Sequence, residues 1–246
     1  MAEGLENLAK MEYPGRFIII GQNSHKNHEA VVVYGITGRS AQSRARRMVL
    51  KKKDELRADH IQVEPTDEEL IKTAKNPELL VYNSLYISDK GIAVSNGSQT
   101  TNIHHYLDKN PLVALANALA VFDYEPDDPN YTPRISGCVN LYGLAVLSII
   151  KRAENGSSIR QYFEVPLISG KGKLISTYTG INANPLPSFV GEPLDVGFKH
   201  DTSKDIAESV WESLNPEHRV SVACVFHNTL YQPGEKAAII NREDRK

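Results

Sequence analysis

The spacing of apolar and polar positions along the chain predicts many short strands and few helices. Residues 16–21 (RFIIIG) and 30–34 are apolar runs of strand length. A polar segment, 22–29, separates them, so the pair predicts a β-hairpin. Residues 79–86 (LLVYNSLY) form another strand, and Asp89-Lys90-Gly91 turns the chain back into Ile92-Ala93-Val94. Residues 139–150 are apolar without a clear period and are assigned to a strand, as are 159–165, 172–179 and 220–226. Helical spacing follows Asn110-Pro111 over residues 112–123. It recurs over 203–214, where Ile206, Val210, Trp211 and Leu214 share one face. The lysine-rich stretch 48–61 fits a helix or an irregular excursion, and Pro65 opens a short helix through residue 74. Asn76-Pro77 marks a turn, the small polar residues 95–101 a second turn, and 182–193, with three prolines, a loop.

Strands joined mostly by hairpins, with two or three helices, define an α+β fold with antiparallel sheets. No repeat or linker divides the chain. One domain over 1–246 is expected, with 1–13 as an N-terminal extension of weak helical spacing.

Composition narrows the functional classes. Lys+Arg 28 against Asp+Glu 30 gives a net charge of -2, which argues against a general nucleic-acid binder. Cys138 and Cys224 lie far apart in apolar surroundings and read as buried, inert thiols. The first residues lack the apolar core of a signal peptide, and no apolar run is long enough to span a bilayer. A cytoplasmic location without membrane contact is therefore expected.

The chemistry concentrates in four polar clusters at strand or helix ends. The first is YGITGRSAQSRARR, residues 34–47, where an apolar run breaks at Gly35 and Gly38 into Arg39, Ser40, Ser43, Arg44, Arg46 and Arg47. Glycine admits close backbone approach, and guanidinium forks match phosphate or carboxylate oxygens. A small anionic ligand and a solvated basic surface are both open here. The others are Tyr82-Asn83, the turn 95–101, and the stretch 123–134 with Glu125 and Arg134. Arg39, Arg44 and Arg134 can hold phosphate or polarise a carbonyl. Tyr82 can exchange a hydrogen bond, and Glu125 can act as general acid or base if buried. By residue type alone, Tyr82 is a strand tyrosine with a satisfied hydroxyl and Glu125 a solvated loop acid. No metal-ligand spacing occurs: His104 and His105 are adjacent, and His25 and His28 fall in a polar turn. The nucleophile-elbow, dinucleotide and phosphate-loop patterns are absent.

Blocks in order along the chain resemble the archaeal-type IMP cyclohydrolases. They are Gly15-Arg16-Phe17, Gly38-Arg39-Ser40 running on to Ser43-Arg44, Asn76-Pro77 leading to Tyr82-Asn83, and Val94-Ser95-Asn96-Gly97-Ser98. Asp123-Tyr124-Glu125, Thr132-Pro133-Arg134-Ile135 and Ile175-Ser176-Thr177-Tyr178 follow. The resemblance implies a four-layer αββα sandwich of two antiparallel sheets, like that of N-terminal-nucleophile hydrolases. It implies closure of 5-formamidoimidazole-4-carboxamide ribotide to inosine monophosphate with loss of water, without metal or organic cofactor.

On that resemblance Arg44, Tyr82 and Glu125 are the catalytic candidates: oxygen polarisation, proton relay and general acid/base work. Arg39, Ser40 and the Ser95, Asn96, Gly97, Ser98 turn would hold phosphate and ribose. Asn83, Tyr124 and Arg134 complete the substrate-binding set. Arg46, Arg47 and the following lysines read as solvated surface. The partners expected are a nucleotide substrate and further copies of the chain as a homo-oligomer, with no nucleic acid. A longer lead-in, the lysine-rich stretch and a fuller C-terminal half depart from the compact family pattern. They leave a non-catalytic or divergent purine- or imidazole-nucleotide binder as the alternative.

Overall fold

The computed structural model describes residues 4–24, 29–53, 55–56, 58–67, 69, 80–227 and 237–245. Strands β1 (Arg16–Gln22) and β2 (Ala30–Thr37) pair antiparallel, with Ile18 opposite Tyr34 and Ile20 opposite Val32. Their runs are long enough for both faces to be buried. Gly35 in β2 faces Phe17, and a Cβ there would lie 2.0 Å from the ring, so glycine makes room for the aromatic across the ladder. This hairpin is the centre of a six-stranded sheet. β10 (Lys171–Ser176) and β11 (Leu194–Gly197) extend it on one side, and β12 (Arg219–His227) and β13 (Ala237–Asn241) on the other.

A second, seven-stranded antiparallel sheet runs in chain order. It comprises β3 (Arg46–Lys51), β4 (Asp59–Pro65), β5 (Tyr82–Ser88), β6 (Gly91–Ser95), β7 (Arg134–Asn140), β8 (Ala145–Arg152) and β9 (Ser158–Glu164). The largest apolar cluster takes residues from both sheets, among them Ile18, Val32, Ile36, Met48, Ile61, Leu85, Val94, Ile135, Leu147 and Ala223, and fills the space between them. A second cluster packs the other face of the six-stranded sheet against α1 (Glu6–Ala9) and α5 (Ser203–Ser213). The third packs the other face of the seven-stranded sheet against α3 (Gln99–His105) and α4 (Pro111–Leu119). A one-turn helix, α2 (Ala41–Arg44), follows β2. The chain is thus α+β with two antiparallel sheets and few helices.

Several predicted elements hold. Asn110 caps α4 by accepting from the Leu112 N–H, with Pro111 in the first turn. In α5, Ile206, Val210 and Trp211 are buried together, and the Thr202 hydroxyl accepts from the Asp205 N–H at its start. Burial pushes the Cys138 thiol up to about 12 and the Cys224 thiol up as well, consistent with inert sulfurs.

Three assignments are corrected, and two strands are added. The lysine-rich stretch is a hairpin, β3–β4: Met48, Ile61 and Val63 lie on its core-facing side, and Lys51, Lys52 and Lys53 gather at the end of β3 and in the connection. The apolar segment 139–150 is two strands, because residues 141–144 turn on the Asn140 side chain, which accepts from the N–H groups of Tyr142 and Leu144. Residues 99–105 form α3 rather than continuing the turn at 95–101. Strands β11 and β13 carried no distinct signal. The Asn76-Pro77 turn, His25, His28 and most of the helix expected beyond Pro65 lie outside the described residues.

Candidate functional site

Strand alternation brings a charged and aromatic set to one end of the inter-sheet space. Arg16 stands two residues before Ile18 at the head of β1, and Tyr34 lies between Val32 and Ile36 on β2. Arg46 precedes Met48 by two on β3, and Tyr82 opens β5. All four therefore share a face with the inter-sheet core. Asn96 follows β6 and Glu125 sits on the loop before β7. Glu125 is 1% exposed, which corrects its reading as a solvated loop acid.

The geometry is specific. Arg16 Nη2 donates to Glu125 Oε2 at 2.9 Å, and Asn96 Nδ2 donates to Glu125 Oε1 at 3.2 Å. Asn96 Nδ2 also donates to the Pro133 carbonyl at 3.0 Å. Its Oδ1 accepts from the Ile135 N–H and from Gln99 Nε2, which fixes the amide orientation. The Tyr34 and Tyr82 hydroxyls meet at 2.7 Å, both buried. The Tyr178 and Thr132 hydroxyls meet at 2.6 Å, and Thr132 Oγ1 donates its proton to Asp127 Oδ2.

Burial raises Glu125 above the usual carboxylate range, and the Arg16 guanidinium opposes that rise. Burial works against the Arg16 charge, but Glu125 and the Tyr82, Tyr34 and Tyr178 hydroxyls hold the guanidinium firmly protonated. Tyr34 is raised well above 10, by burial first and then by Tyr82. Burial likewise takes Tyr178 up to about 12. A buried ion pair beside a buried hydroxyl pair supplies a base, a fixed cation and transferable protons out of bulk water.

The remaining candidates divide. Arg134 joins the network through Gln99, donating Nη1 to its Oε1 at 3.1 Å and Nε to the Asp123 carbonyl at 2.8 Å. The Gly38–Arg47 turn lies beside the cluster. A Cβ on Gly38 would lie 2.6 Å from the Ser43 carbonyl, so the turn closes on itself. There Ser40 and Ser43 cap α2 reciprocally, with Ser40 exposed. Arg44 Nε donates to the Gly38 carbonyl at 3.1 Å. Arg39 Nη1 donates to the Ala183 carbonyl at 2.7 Å, and its guanidinium lies over the Tyr13 ring. Ser95 and Thr100 hydrogen-bond to each other and to the Gly97 carbonyl, while Ser98 is exposed. Two side chains turn elsewhere: Asn83 donates to the Tyr86 hydroxyl, and the Tyr124 hydroxyl donates to the Gly156 carbonyl.

Arg46 corrects an expectation. It is 8% exposed, with Nε on the Ser43 carbonyl, and its charge acts on Tyr34. Arg47, one residue on, faces outward to Glu64 and Glu243. Arg16, Tyr34 and Tyr178 are the members that residue chemistry missed. The available signal was phase: a charge or hydroxyl at a core-facing position of an apolar strand. Among the described residues no three His, Cys, Asp or Glu side chains converge as a metal site requires. Two surface hollows of about 210 and 510 Å³ lie elsewhere, lined partly by α1 and α5 residues, and hold none of these groups.

An antiparallel α+β protein with an Arg–Glu–Asn network facing a tyrosine pair between its sheets is built for acid–base work on a small polar ligand. Comparison with known proteins narrows that class. Residues 13–231 match the model of the IMP cyclohydrolase-like protein family, and the chain belongs to that family. It is 31% identical to the IMP cyclohydrolase of Haloquadratum walsbyi over 230 residues, covering 93% of this chain and 97% of the relative. It is 29% identical to the IMP cyclohydrolase of Methanocaldococcus jannaschii over 211 residues, covering 86% and 92%.

Proposed function

We propose that the chain is an IMP cyclohydrolase, closing 5-formamidoimidazole-4-carboxamide ribotide to inosine monophosphate with loss of water. The carrying observation is the buried Arg16–Glu125 pair, oriented by Asn96. The reaction is intramolecular, so holding the carboxamide against the formyl group removes much of the barrier. Amide nitrogen is a poor nucleophile and needs a base as it attacks.

In the proposed sequence the carboxamide nitrogen bonds to the formyl carbon and gives one proton to Glu125. The formyl oxygen takes the Tyr82 proton. Glu125 then returns its proton to that hydroxyl, which departs as water while the formamide N–H proton passes to Tyr82. Two protons leave nitrogen and two leave with oxygen, and both side chains are restored. Arg44 polarises the formyl or carboxamide oxygen. Arg39, Ser40 and the Ser95–Ser98 turn hold phosphate and ribose, and Arg134 borders the base.

The same reading takes residues 1–246 as one domain with an αββα layering like that of N-terminal-nucleophile hydrolases, working in the cytoplasm as a homo-oligomer on a nucleotide substrate. It involves neither nucleic acid nor membrane; no helix among the described residues is long and apolar enough to cross one. A spectrophotometric assay tests the function. Purified protein converts the formylated ribotide to a product with purine absorbance, and Arg44→Ala or Tyr82→Phe slows it sharply. Nucleotide binding that raises Tm without any turnover would favour a binding module instead.

A further inference from the structure

Tyr34 is fully buried in the layer between the sheets, behind Tyr82. Its hydroxyl sits 2.7 Å from that of Tyr82, and two guanidinium groups from different sheets, Arg16 of β1 and Arg46 of β3, act on it electrostatically. A phenol placed only for packing would be isosteric with phenylalanine and would not need a hydroxyl in an apolar layer, where burying it costs free energy unless it is bonded. From this arrangement we infer that Tyr34 is a positioning residue for ring closure: it donates its hydrogen bond to Tyr82 and stabilises the oxygen that Tyr82 is left with after giving up its proton. The inference rests on the cyclohydrolase reading and extends it from Tyr82 to the residue behind it.

The direction of the bond follows from the transfer. Either hydroxyl can donate in the resting pair; once Tyr82 gives its own proton to the formyl oxygen, Tyr34 is the donor and the Tyr82 oxygen the acceptor. A donor aimed at the oxygen on which charge develops acts at the moment of transfer. The charged and titratable groups facing the pair are Arg16 and Arg46, with Glu125 and Tyr178 around Arg16. Both arginines stabilise negative charge at the Tyr34 hydroxyl. Losing the Tyr34 donor removes a hydrogen bond to the oxygen on which charge develops, which slows the transfer from Tyr82.

The test compares wild type, Tyr34→Phe, Tyr82→Phe and the double variant in ring closure of the formylated ribotide, with a thermal melt of each. Tyr34→Phe is expected to lower kcat roughly ten- to a hundredfold. It leaves KM within about twofold, because Tyr34 acts through Tyr82. The substitution has no further effect on kcat once Tyr82 is already Phe. A folded Tyr34→Phe protein with unchanged kcat would overturn the inference, as would a loss fully additive with Tyr82→Phe. Should Tyr34→Phe fail to fold, Arg46→Gln poses the same question without altering either hydroxyl. There kcat again falls while KM stays within about twofold, and an unchanged kcat in the folded variant overturns the inference. Wild-type protein without turnover removes the cyclohydrolase reading and this inference together, whereas an active wild type with an indifferent Tyr34→Phe removes the inference alone.

Discussion

Two buried polar networks join the sheets, and they are made of different chemistry. At one corner Asn241 of β13 reaches the backbone of Met48 in β3: its Oδ1 accepts from the Met48 N–H at 2.9 Å and its Nδ2 donates to the Met48 carbonyl at 3.2 Å. Ser221 donates to the same Oδ1 at 2.6 Å. β3 and β13 are the outer strands of their sheets, so the amide extends a ladder that would otherwise end in unpaired backbone groups. Every group there is neutral. At the candidate site the network consists of Arg16, Glu125, Tyr34 and Tyr82, all ionisable, with the Asn96 amide bonded to the carboxylate. A neutral network ties strands together at low risk. An ionisable one carries a desolvation cost that replacement by apolar residues would avoid, and its presence between sheets that otherwise meet through apolar and neutral groups points to chemistry.

Perturbing each network separates those roles. Glu125→Gln is expected to lower kcat by roughly 10²–10⁴ while the protein still folds, because the amide oxygen can still accept from Arg16. Steady-state rates beside circular dichroism would check this. Arg16→Met is expected to cost about 3–5 kcal/mol by leaving Glu125 buried without its cation, read as a fall in denaturant midpoint.

The pH dependence has a definite sign. The folded value of Glu125 is raised by burial, so in the unfolded chain the carboxyl loses its proton first. Stability tied to this group is then lost as pH rises from the ordinary carboxylate value through the raised one. Relative to wild type, Glu125→Gln should therefore gain stability across that rise, in paired melts at matched pH. A difference that shrinks instead would mean that Arg16 outweighs burial.

Asn241→Ala removes the staple and leaves the Met48 backbone and Ser221 without it, at about 1–3 kcal/mol. Its kcat per folded molecule is expected to stay at wild type, because the corner holds no ionisable group of the site. The smallest effect belongs to Arg47→Ala. Its partners Glu64 and Glu243 are partly exposed, and its side chain is 42% exposed, so the loss stays within about 1 kcal/mol.

Much of the fold could be read from pattern. The β1–β2 hairpin, the β5–β6 hairpin, β9, β10, β12, α4 and α5 all appear as apolar periods bounded by turn residues. The β3–β4 hairpin could not, because Arg47, Val49, Gln62 and Glu64 alternate with the core-facing Met48, Ile61 and Val63, and three lysines crowd the end of β3. The boundary between β7 and β8 was hidden by Leu141, Tyr142 and Leu144, apolar residues that lie on an exposed turn. For the site, ordered blocks led to Tyr82, Glu125 and Asn96, but they gave no reason to choose Arg16, Tyr34 or Arg46 over their neighbours.

Local sequence determined the strand-rich architecture, the buried thiols and a stock of arginines, hydroxyls and one decisive glutamate near strand ends. Which of them meet was decided by tertiary structure. Arg16 and Glu125 are separated by 109 residues and Tyr34 and Tyr82 by 48, and only the stacking of one sheet on the other brings them within hydrogen-bond reach. The same stacking divides Arg46 from Arg47. Adjacent residues on a strand point to opposite faces, so one guanidinium enters the layer between the sheets and the next remains at the surface.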